Sequence, residues 1–247
     1  MKAMIFAAGL GTRLAPLTDT CPKALIEVGG KPMLQRAIER LRDAGVSEIT
    51  VNVHHHACMI KDYIASHDFG VDIRVSDESS CLLDTGGGVV KAATMLRGDG
   101  PVMLYNADIF TDFPLREMME RHCASGADVT LLADSRETSR YLLFDASGRM
   151  IGWRNVSTGE TCSPFPAEVT DGSRQMAFGG VHIINPCVID RMAEYMPEGK
   201  FSITPFYIDA CRELDIRAYT PSGSYTWIDI GRLASLARAR DMAKSRD

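Results

Sequence analysis

Short apolar runs alternate with segments of helical period through the first 134 residues, and this alternation constrains the fold more than any other feature. Between the runs, apolar residues recur at helical spacing, most clearly from Met33 to Ala44. The runs have the length of buried strands, and they lie at Lys2–Ala7, Glu48–His54, Val71–Val75, Pro101–Tyr105 and Asp128–Leu132. This alternation of strands and helices predicts an α/β fold, with a parallel sheet covered by helices on both faces.

The second half of the chain is less regular, and its pattern predicts a hairpin followed by a mobile loop over Thr158–Arg174. The remaining predicted elements are a strand at Gln175–Ile184, helices at Cys187–Tyr195 and Ile203–Leu214, strands at Ile216–Tyr219 and Tyr225–Ile230, and a helix at Arg232–Ala243. No internal repeat or clear linker interrupts the sequence. We therefore expect a single domain over 1–247, with a first half at 1–134 and a second at 135–247.

Charge and cysteine content exclude several classes of protein. The 27 basic and 32 acidic residues give a formal charge of -5, which disfavours broad nucleic-acid binding. The seven cysteines are odd in number and form no C-x-x-C pair, which argues against a disulfide framework or a structural zinc site. Free thiols fit a reducing compartment, and no apolar stretch approaches the ~18 residues of a membrane span. We expect a cytoplasmic protein, monomeric or homodimeric, without nucleic-acid or membrane partners.

The segment from Ala7 to Leu14, directly after the first strand, is the strongest signal for a ligand. Gly9 and Gly11 allow the backbone to approach an anion, and Arg13 adds a planar fork suited to phosphate oxygens. Lys23 follows ten residues later and supplies a second positive charge. A dinucleotide fingerprint would need glycine at Leu14, and no Walker A loop is present. The alternative is a plain glycine-rich turn.

Two aspartates lie at the ends of predicted strands: Asp108 just past one strand, and Asp229 near the end of Tyr225–Ile230. Ligands bind at that edge of open α/β sheets, and two carboxylates can hold a Mg²⁺ ion that bridges substrate phosphates. The sequence alone does not bring these residues together, and either could instead be a turn or cap residue.

Two glycine-rich segments are further candidates. Asp84–Gly88 precedes a helix, where the glycines would let a flat ligand lie on the backbone and Thr85 could read a base edge; the alternative is a flexible loop with a helix cap. Phe178–Val181 carries two glycines, for which a strand bulge is the alternative. His54–His56 is interpreted as a strand end rather than a metal site, because adjacent strand residues face opposite sides. Arg232–Arg240 is interpreted as a solvated helix face.

Several of these segments together resemble the sugar-1-phosphate nucleotidyltransferases, the NDP-sugar pyrophosphorylases. The resemblance rests on Ala8–Leu14, Pro16–Thr18, Pro22-Lys23, Asn106–Asp108 and Trp227–Gly231, and it covers nearly the whole chain. It implies the nucleotide-diphospho-sugar transferase fold, with a Rossmann-like mixed, mainly parallel sheet. It also implies magnesium-dependent reaction of a nucleoside triphosphate with a sugar 1-phosphate, giving an NDP-sugar and pyrophosphate. The halves 1–134 and 135–247 would bind the nucleotide and the sugar phosphate.

The resemblance assigns roles to individual positions. It implies catalytic roles for Arg13, Lys23 and Asp108, and Mg²⁺ ligation by Asp108 and Asp229. The sugar phosphate would contact Asn106 and Gly180. The implied nucleotide-binding residues are Ala8, Gly9, Gly11, Thr12, Arg13, Lys23, Asp84, Thr85, Gly86 and Gly87.

The sequence also departs from the family pattern. Ala24 stands where many members have a second proline, and Arg232-Leu233 replaces a common Thr-Pro. Many members carry a sugar-phosphate lysine in the second half, whereas this chain has no lysine between Lys91 and Lys200. Arg149 or Arg154 is expected to substitute for it.

The substrates implied by the resemblance are those of the short members of the family. The first pair is UTP with N-acetylmuramic acid 1-phosphate, in cell-wall recycling. The alternatives are GTP with mannose or heptose 1-phosphate and, more distantly, CTP with phosphocholine. A non-catalytic protein that binds nucleotide sugars for regulation is a hypothesis from another class. An NAD-dependent reductase would require the missing third glycine.

Overall fold

The first strand lies in the middle of a mixed sheet and supplies side chains to both of its faces. In the computed structural model, which describes residues 1–245, this strand is Lys2–Phe6. Ala3 and Ile5 belong to one buried apolar cluster and Met4 belongs to another. Successive strand residues point to opposite faces. Because Ala3, Met4 and Ile5 are buried on alternate faces, this strand needs helices on both sides of the sheet.

The strands and helices of residues 1–245 are numbered in chain order. The strands are β1 Lys2–Phe6, β2 Glu27–Val28, β3 Lys31–Pro32, β4 Glu48–Val53, β5 Asp72–Asp77, β6 Val102–Asn106, β7 Ile109–Thr111, β8 Val129–Asp134, β9 Arg140–Phe144, β10 Met150–Asn155, β11 Glu160–Cys162, β12 Arg174–Ile184, β13 Ile216–Tyr219 and β14 Trp227–Asp229. The helices are α1 Met33–Asp43, α2 Ala57–Ala65, α3 Asp84–Lys91, α4 Ala93–Leu96, α5 Leu115–Ser125, α6 Ala167–Asp171, α7 Pro186–Tyr195, α8 Ile203–Ala210 and α9 Leu233–Lys244. Short 3₁₀ helices cover Thr12–Leu14, Leu17–Asp19 and Lys23–Leu25.

The main sheet joins a parallel part to an antiparallel part. The strands β6, β1, β4 and β5 are adjacent in that order and run parallel. The long strand β12 pairs antiparallel with β6, β8 and β9, and β9 continues the sheet through β10 to β11. β13 pairs parallel with β8. This arrangement confirms the predicted Rossmann-like mixed sheet.

Helices cover both faces of the sheet, as predicted. Buried residues of α1, α2 and α5 pack with Ile5, whereas those of α3, α4, α7 and α8 pack with Met4. In α1, Leu34, Ile38 and Leu41 lie at helical spacing and are completely buried. Each such side chain contributes roughly 1.5–3 kcal/mol on burial. None of the helices within residues 1–245 is long and apolar enough to cross a lipid bilayer.

Three predictions about secondary structure are wrong. Thr158–Arg174 is not a mobile loop, since it contains β11, which pairs with β10, and α6. The predicted helix at Ile203–Leu214 ends at Ala210, and the one after Asp84 is divided into α3 and α4 at Ala92. The strand β7 was not predicted, because its three residues are too few to show a period; it forms a separate two-stranded sheet with β14.

Candidate functional site

The glycine-rich segment Ala7–Arg13, here called the phosphate loop, begins at the carboxyl edge of the parallel strands. Phe6, the last residue of β1, is in register with Asn52 on β4 and with Asn106 on β6. The start of the loop, Asn52 and the turn after Asn106 therefore share one edge. This is the edge at which open α/β sheets bind ligands.

Gly11 fixes the shape of the phosphate loop. Its φ of 67° lies in the left-handed region, and a Cβ built on it would be 2.7 Å from Thr18 Cγ2. The Thr18 hydroxyl donates a hydrogen bond to the Gly11 carbonyl at 3.0 Å. A Cβ built on Gly9 would meet nothing within 4 Å, so the backbone there faces open space. Glycine is thus required at Gly11 by conformation and by contact.

The strand pair β7–β14 brings the two predicted aspartates together. Asp229 is in register with Ile109, and the Ile230 N–H donates to the Asp108 carbonyl at 3.0 Å. The Lys23 ammonium donates a very short hydrogen bond to Asp108 Oδ2 and lies 3.7 Å from Asp229 Oδ1. Two aspartates that are 121 positions apart in sequence therefore lie beside the same ammonium group, that of Lys23.

Arg13 completes this cluster at Gly231. A Cβ built on Gly231 would lie 2.8 Å from Asp229 Oδ1, 2.9 Å from Lys23 Nζ and 3.0 Å from Arg13 Nη2. The backbone N–H of Gly231 donates to Asp229 Oδ1 at 2.7 Å. A larger residue at this position would have to displace these three charged groups. The predicted residues Arg13, Lys23, Asp108 and Asp229 thus converge at one place.

Two cavities meet at this cluster. The loop cavity, of about 420 Å³, is lined by Ala8, Gly9, Gly11, Thr12 and Lys23, together with Asp84, Thr85, Asn106 and Asp108. The large cavity, of about 1150 Å³, is lined by Asp229, Trp227 and Phe178 among others. Arg13 lines both. The two carboxylates therefore lie on either side of the junction, with Arg13 between the cavities.

The glycines of Asp84–Gly88 are explained by packing rather than by a ligand. They lie in α3, and neither Gly86 nor Gly87 lines the loop cavity. A Cβ on Gly86 would overlap the Phe201 ring, and a Cβ on Gly87 would overlap the Gly199 carbonyl. The structure corrects the expectation that these glycines lay the backbone open to a flat ligand.

The base loop, defined here as Leu82–Thr85, does line the loop cavity through Leu82, Asp84 and Thr85. Asp84 has a φ of 62°, in the left-handed region, and its Oδ1 accepts the Thr85 N–H at 2.7 Å. The Thr85 hydroxyl accepts the N–H of Ile203, the first residue of α8, at 2.9 Å. One hydroxyl oxygen lone pair of Thr85 is thus already used by the protein.

Asn106 and Gly180 lie side by side. Gly180 has a φ of 72°, and a Cβ built there would be 2.8 Å from Asn106 Nδ2. The register between β12 and β8 shifts between Phe178 and His182, so the glycines form a bulge, the alternative considered from the sequence. Asn106 lines the loop cavity, whereas Gly180 lines neither of the two cavities.

Neither Arg149 nor Arg154 takes the place of the missing lysine. The Arg149 guanidinium donates to backbone carbonyls at 211, 212 and 214, and Arg154 Nε donates to Thr161 Oγ1 at 3.0 Å. The predicted substitution is therefore wrong for both, because both guanidinium groups serve the fold outside the two cavities.

Arg136, which sequence reasoning missed, lines the large cavity. Its guanidinium carbon lies 3.3 Å from the centre of the Trp227 ring, and its Nε donates to Asp134 Oδ1 at 2.7 Å. Nη2 donates to the carbonyls of Ala177 and Phe178. Its Nη1 has no protein partner within residues 1–245. Arginines 140, 232 and 238 also line this cavity, so part of Arg232–Arg240 is a cavity wall.

Lys200 is the second missed residue. Five of the seven lysines donate to a carboxylate or carbonyl and Lys244 forms an ion pair with Asp241, whereas Lys200 has no such partner in the described part of the chain. It lines the loop cavity, and the next residue, Phe201, donates its N–H to the Leu83 carbonyl at 3.1 Å. Lys200 thus stands beside the base loop. The isolated lysine in an arginine-rich half was the available sequence signal.

The chain resembles known proteins in both sequence and structure. The family model described as nucleotidyl transferase matches residues 2–246. An N-acetylmuramate alpha-1-phosphate uridylyltransferase from Caulobacter vibrioides is 29% identical over 246 residues, covering 96% of each chain. A mannose-1-phosphate guanyltransferase from Neurospora crassa is 33% identical, but this chain spans 61% of its length and the match covers 94% of this chain. The crystal structure of HddC from Yersinia pseudotuberculosis superposes with a TM-score of 0.76 at 21% identity, covering 98% of both chains.

Proposed function

The chain belongs to the nucleotidyl transferase family, and we propose that it joins a nucleoside triphosphate to a sugar 1-phosphate, forming an NDP-sugar and pyrophosphate. The observation that carries this proposal is the convergence of Arg13, Lys23, Asp108 and Asp229 where two cavities meet. The triphosphate would lie in the loop cavity, against the phosphate loop. The sugar would lie in the large cavity, with its phosphate at the junction.

The proposed reaction needs no side-chain nucleophile. An oxygen of the sugar phosphate, already an anion at neutral pH, forms a bond to the α-phosphorus, and the bond from that phosphorus to the bridging oxygen breaks. Pyrophosphate leaves with the electron pair. The barrier comes from bringing anions together and from charge that develops on the leaving group, so positioning and fixed positive charge supply the catalysis. Arg13 and Lys23 are placed to provide that charge.

We further propose Mg²⁺ as the cofactor, in line with the general use of a divalent metal by this family. Asp108 and Asp229 fit a hard cation because both supply carboxylate oxygens at the junction, and Asp108 Oδ1 and Asp229 Oδ2 have no hydrogen-bond partner among residues 1–245. Within the same residues, no group of three or more His, Cys, Asp or Glu side chains could hold a metal ion. A bound Mg²⁺ would neutralise phosphate charge and hold the two substrates in line.

For the substrates, we propose UTP and N-acetylmuramic acid 1-phosphate, with a role in cell-wall recycling. The uridylyltransferase from Caulobacter vibrioides matches this chain along 96% of both lengths, which supports this pair. The lining of the large cavity supports it as well: five arginines, 13, 136, 140, 232 and 238, stand against Glu137, Asp209 and Asp229. N-acetylmuramic acid 1-phosphate carries a carboxylate besides its phosphate, so its electrostatic attraction to this surface is stronger than that of the 1-phosphate of a neutral sugar.

The second candidate pair is GTP with mannose or heptose 1-phosphate. It is favoured by the similarity to mannose-1-phosphate guanyltransferases, one of which is 33% identical. Both candidates use the same geometry and differ only in the base and in the sugar.

The test is pyrophosphate release with Mg²⁺, in which each NTP is combined with a panel of sugar 1-phosphates. The panel includes the muramic, mannose and heptose compounds, and Asp108→Asn serves as the inactive control. We expect one strongly preferred pair. Nucleotide binding without turnover on the whole panel would favour a regulatory protein, and the absence of both would refute the assignment of the loop cavity.

A further inference from the structure

Glu78 is a completely buried carboxyl group behind the loop cavity. Its residue exposure is 0%, and it does not line either of the two cavities at the site. Oε1 accepts a hydrogen bond from Asn52 Nδ2 at 2.8 Å, and Oε2 accepts the Leu83 backbone N–H at 3.2 Å. Burial raises the pKa of this carboxyl, and the two hydrogen bonds oppose that rise. Both oxygens are thus engaged, one by each neighbour.

Asn52 carries the interaction onward to the phosphate loop. Its Oδ1 accepts the N–H of Ala7, the first residue of that loop, at 2.8 Å. A carboxylate only accepts hydrogen bonds, so the Asn52 amide must turn its NH₂ group toward Glu78 and its oxygen toward Ala7. Glu78 therefore dictates the orientation of this buried amide.

The third glycine of α3 is required by the same pair. A Cβ built on Gly88 would lie 2.9 Å from Glu78 Oε1 and 3.0 Å from Asn52 Nδ2. Real Cβ atoms essentially never come within 3.0 Å of such atoms, so any larger residue would displace the carboxyl or the amide. In the run Gly86–Gly88, glycine at position 88 thus leaves room for the hydrogen bond between Glu78 and Asn52.

We propose that Glu78 is a positioning residue that holds the phosphate loop and the base loop at a fixed separation. It reaches Ala7 through Asn52 and reaches Leu83 directly, and these two residues begin or lie within the loops that line the loop cavity. The inference rests on the proposed function, because it takes the bound molecule to be an NTP that spans both loops. Glu78 acts without touching that molecule.

The first test is Glu78→Gln, which preserves shape but replaces one acceptor by a donor. If the glutamine oxygen faces Leu83, its NH₂ group faces the NH₂ group of Asn52. Asn52 can avoid this clash only by rotating its amide, which then turns a donor toward the Ala7 N–H. If the glutamine oxygen faces Asn52 instead, its NH₂ group faces the Leu83 N–H, and the base loop loses its hydrogen bond. In either case one of the two loops is no longer held. We expect KM for the NTP to rise at least 10-fold while KM for the sugar 1-phosphate stays within 2-fold.

The control separates positioning from general loss of stability. Thr130 accepts or donates a hydrogen bond with His122 Nδ1 at 2.8 Å in a buried network that includes Asn185 and lies outside the two cavities. Thr130→Val breaks that network with a side chain of the same shape. It should lower Tm without moving either KM. If Glu78→Gln changes Tm alone, as this control does, the inference is overturned.

A second variant keeps the test decisive if Glu78→Gln does not fold. Gly88→Ala leaves the carboxyl and amide chemically intact but pushes them apart, and it should also raise KM for the NTP. Unchanged KM values in Gly88→Ala would overturn the inference. The proposed function is judged separately on the wild type: loss of the inference leaves wild-type pyrophosphate release intact, whereas a wild type that neither binds NTP nor releases pyrophosphate refutes the function itself.

Discussion

Asp229 lies beside Asp108 because the strand that carries Asp229 pairs with the three residues that follow Asp108. The Ile230 N–H donates to the Asp108 carbonyl, and both carboxylates face the Lys23 ammonium. The relative position of the two side chains is therefore set by backbone pairing rather than by a flexible loop. A site held in this way is suited to preorganised charge, which costs no reorganisation during the reaction.

Replacement of Asp108 by asparagine should abolish most of the activity. The amide keeps the shape of the side chain but loses the charge that pairs with Lys23 and that would hold the proposed Mg²⁺. We expect kcat/KM to fall by about 10²–10³-fold, the range for the loss of one preorganised electrostatic group. Pyrophosphate release measures this loss, and circular dichroism checks the fold. The exposed Asp99→Asn is the matched control, and near-full activity of Asp108→Asn would remove this residue from the site.

Arg13 should matter through both its charge and its planar shape. It lines both cavities, so it can contact phosphates on each side of the junction. We expect Arg13→Ala to lose about 10²-fold in kcat/KM, and Arg13→Lys to recover only part of it, since an ammonium lacks the bidentate fork. Steady-state kinetics of these variants are compared with those of Arg121→Ala, a control that removes an exposed arginine on α5. Equal kinetics for the Lys variant and the wild type would show that charge alone suffices.

The sequence predicted what is local and missed what depends on distant contacts. The phosphate loop and the strand before it could be predicted, because the conformation at Gly11 and the burial of β1 depend on residues that are adjacent in sequence. The pairing of β7 with β14 could not be predicted, since strands of three residues are too short to show a hydrophobic periodicity. The need for glycine at Gly86 and Gly87 depends on Phe201 and Gly199, more than 110 positions later. Arg136 gave no signal because its position on Trp227 exists only in the folded chain.

Substitution at Gly87 should separate the base loop from the segment before α8. A Cβ there would overlap the Gly199 carbonyl, which is backbone and cannot rotate away. We expect Gly87→Ala to reduce the free energy of unfolding by about 1–3 kcal/mol, the usual cost of overpacking. Gly172→Ala is the matched control, since a Cβ at Gly172 meets nothing within 4 Å. Urea denaturation compares the two, and equal stabilities would contradict the packing explanation.

Lys200 should favour bases that present carbonyl oxygens. Its ammonium has only donors to offer, and it lines the loop cavity beside the base loop. Uracil and guanine have a keto oxygen where cytosine and adenine have an amino group. We expect Lys200→Met to reduce the ratio of kcat/KM for UTP over CTP by about 10-fold, as for one charged hydrogen bond. The same measurement with Lys244→Met, on the exposed end of α9, should leave the ratio unchanged. An unaltered ratio in Lys200→Met would show that Lys200 does not contribute to the choice of base.

Because of His182, the free energy of unfolding should be lower in mild acid than at neutral pH. This histidine is completely buried, its Nδ1 shares a 2.7 Å hydrogen bond with the Tyr207 hydroxyl, and burial lowers its pKa to about 3. In the unfolded chain the pKa of histidine is ~6.5, so below that pH the unfolded state binds a proton that the folded state refuses. The free energy of unfolding therefore falls as pH drops below about 6.5, by up to roughly 1.4 kcal/mol per pH unit.

The size of this effect can be measured by subtraction. Between pH 7 and pH 5 the two pKa values of His182 imply a loss of about 2 kcal/mol. His182→Gln removes the titrating group and keeps a polar side chain that can reach Tyr207. The pKa of buried His122 is also lowered, chiefly by burial, but it contributes equally to both proteins and cancels. Urea denaturation at the two pH values should show the wild type losing about 2 kcal/mol more than the variant. Parallel losses would mean that His182 gains its proton without unfolding.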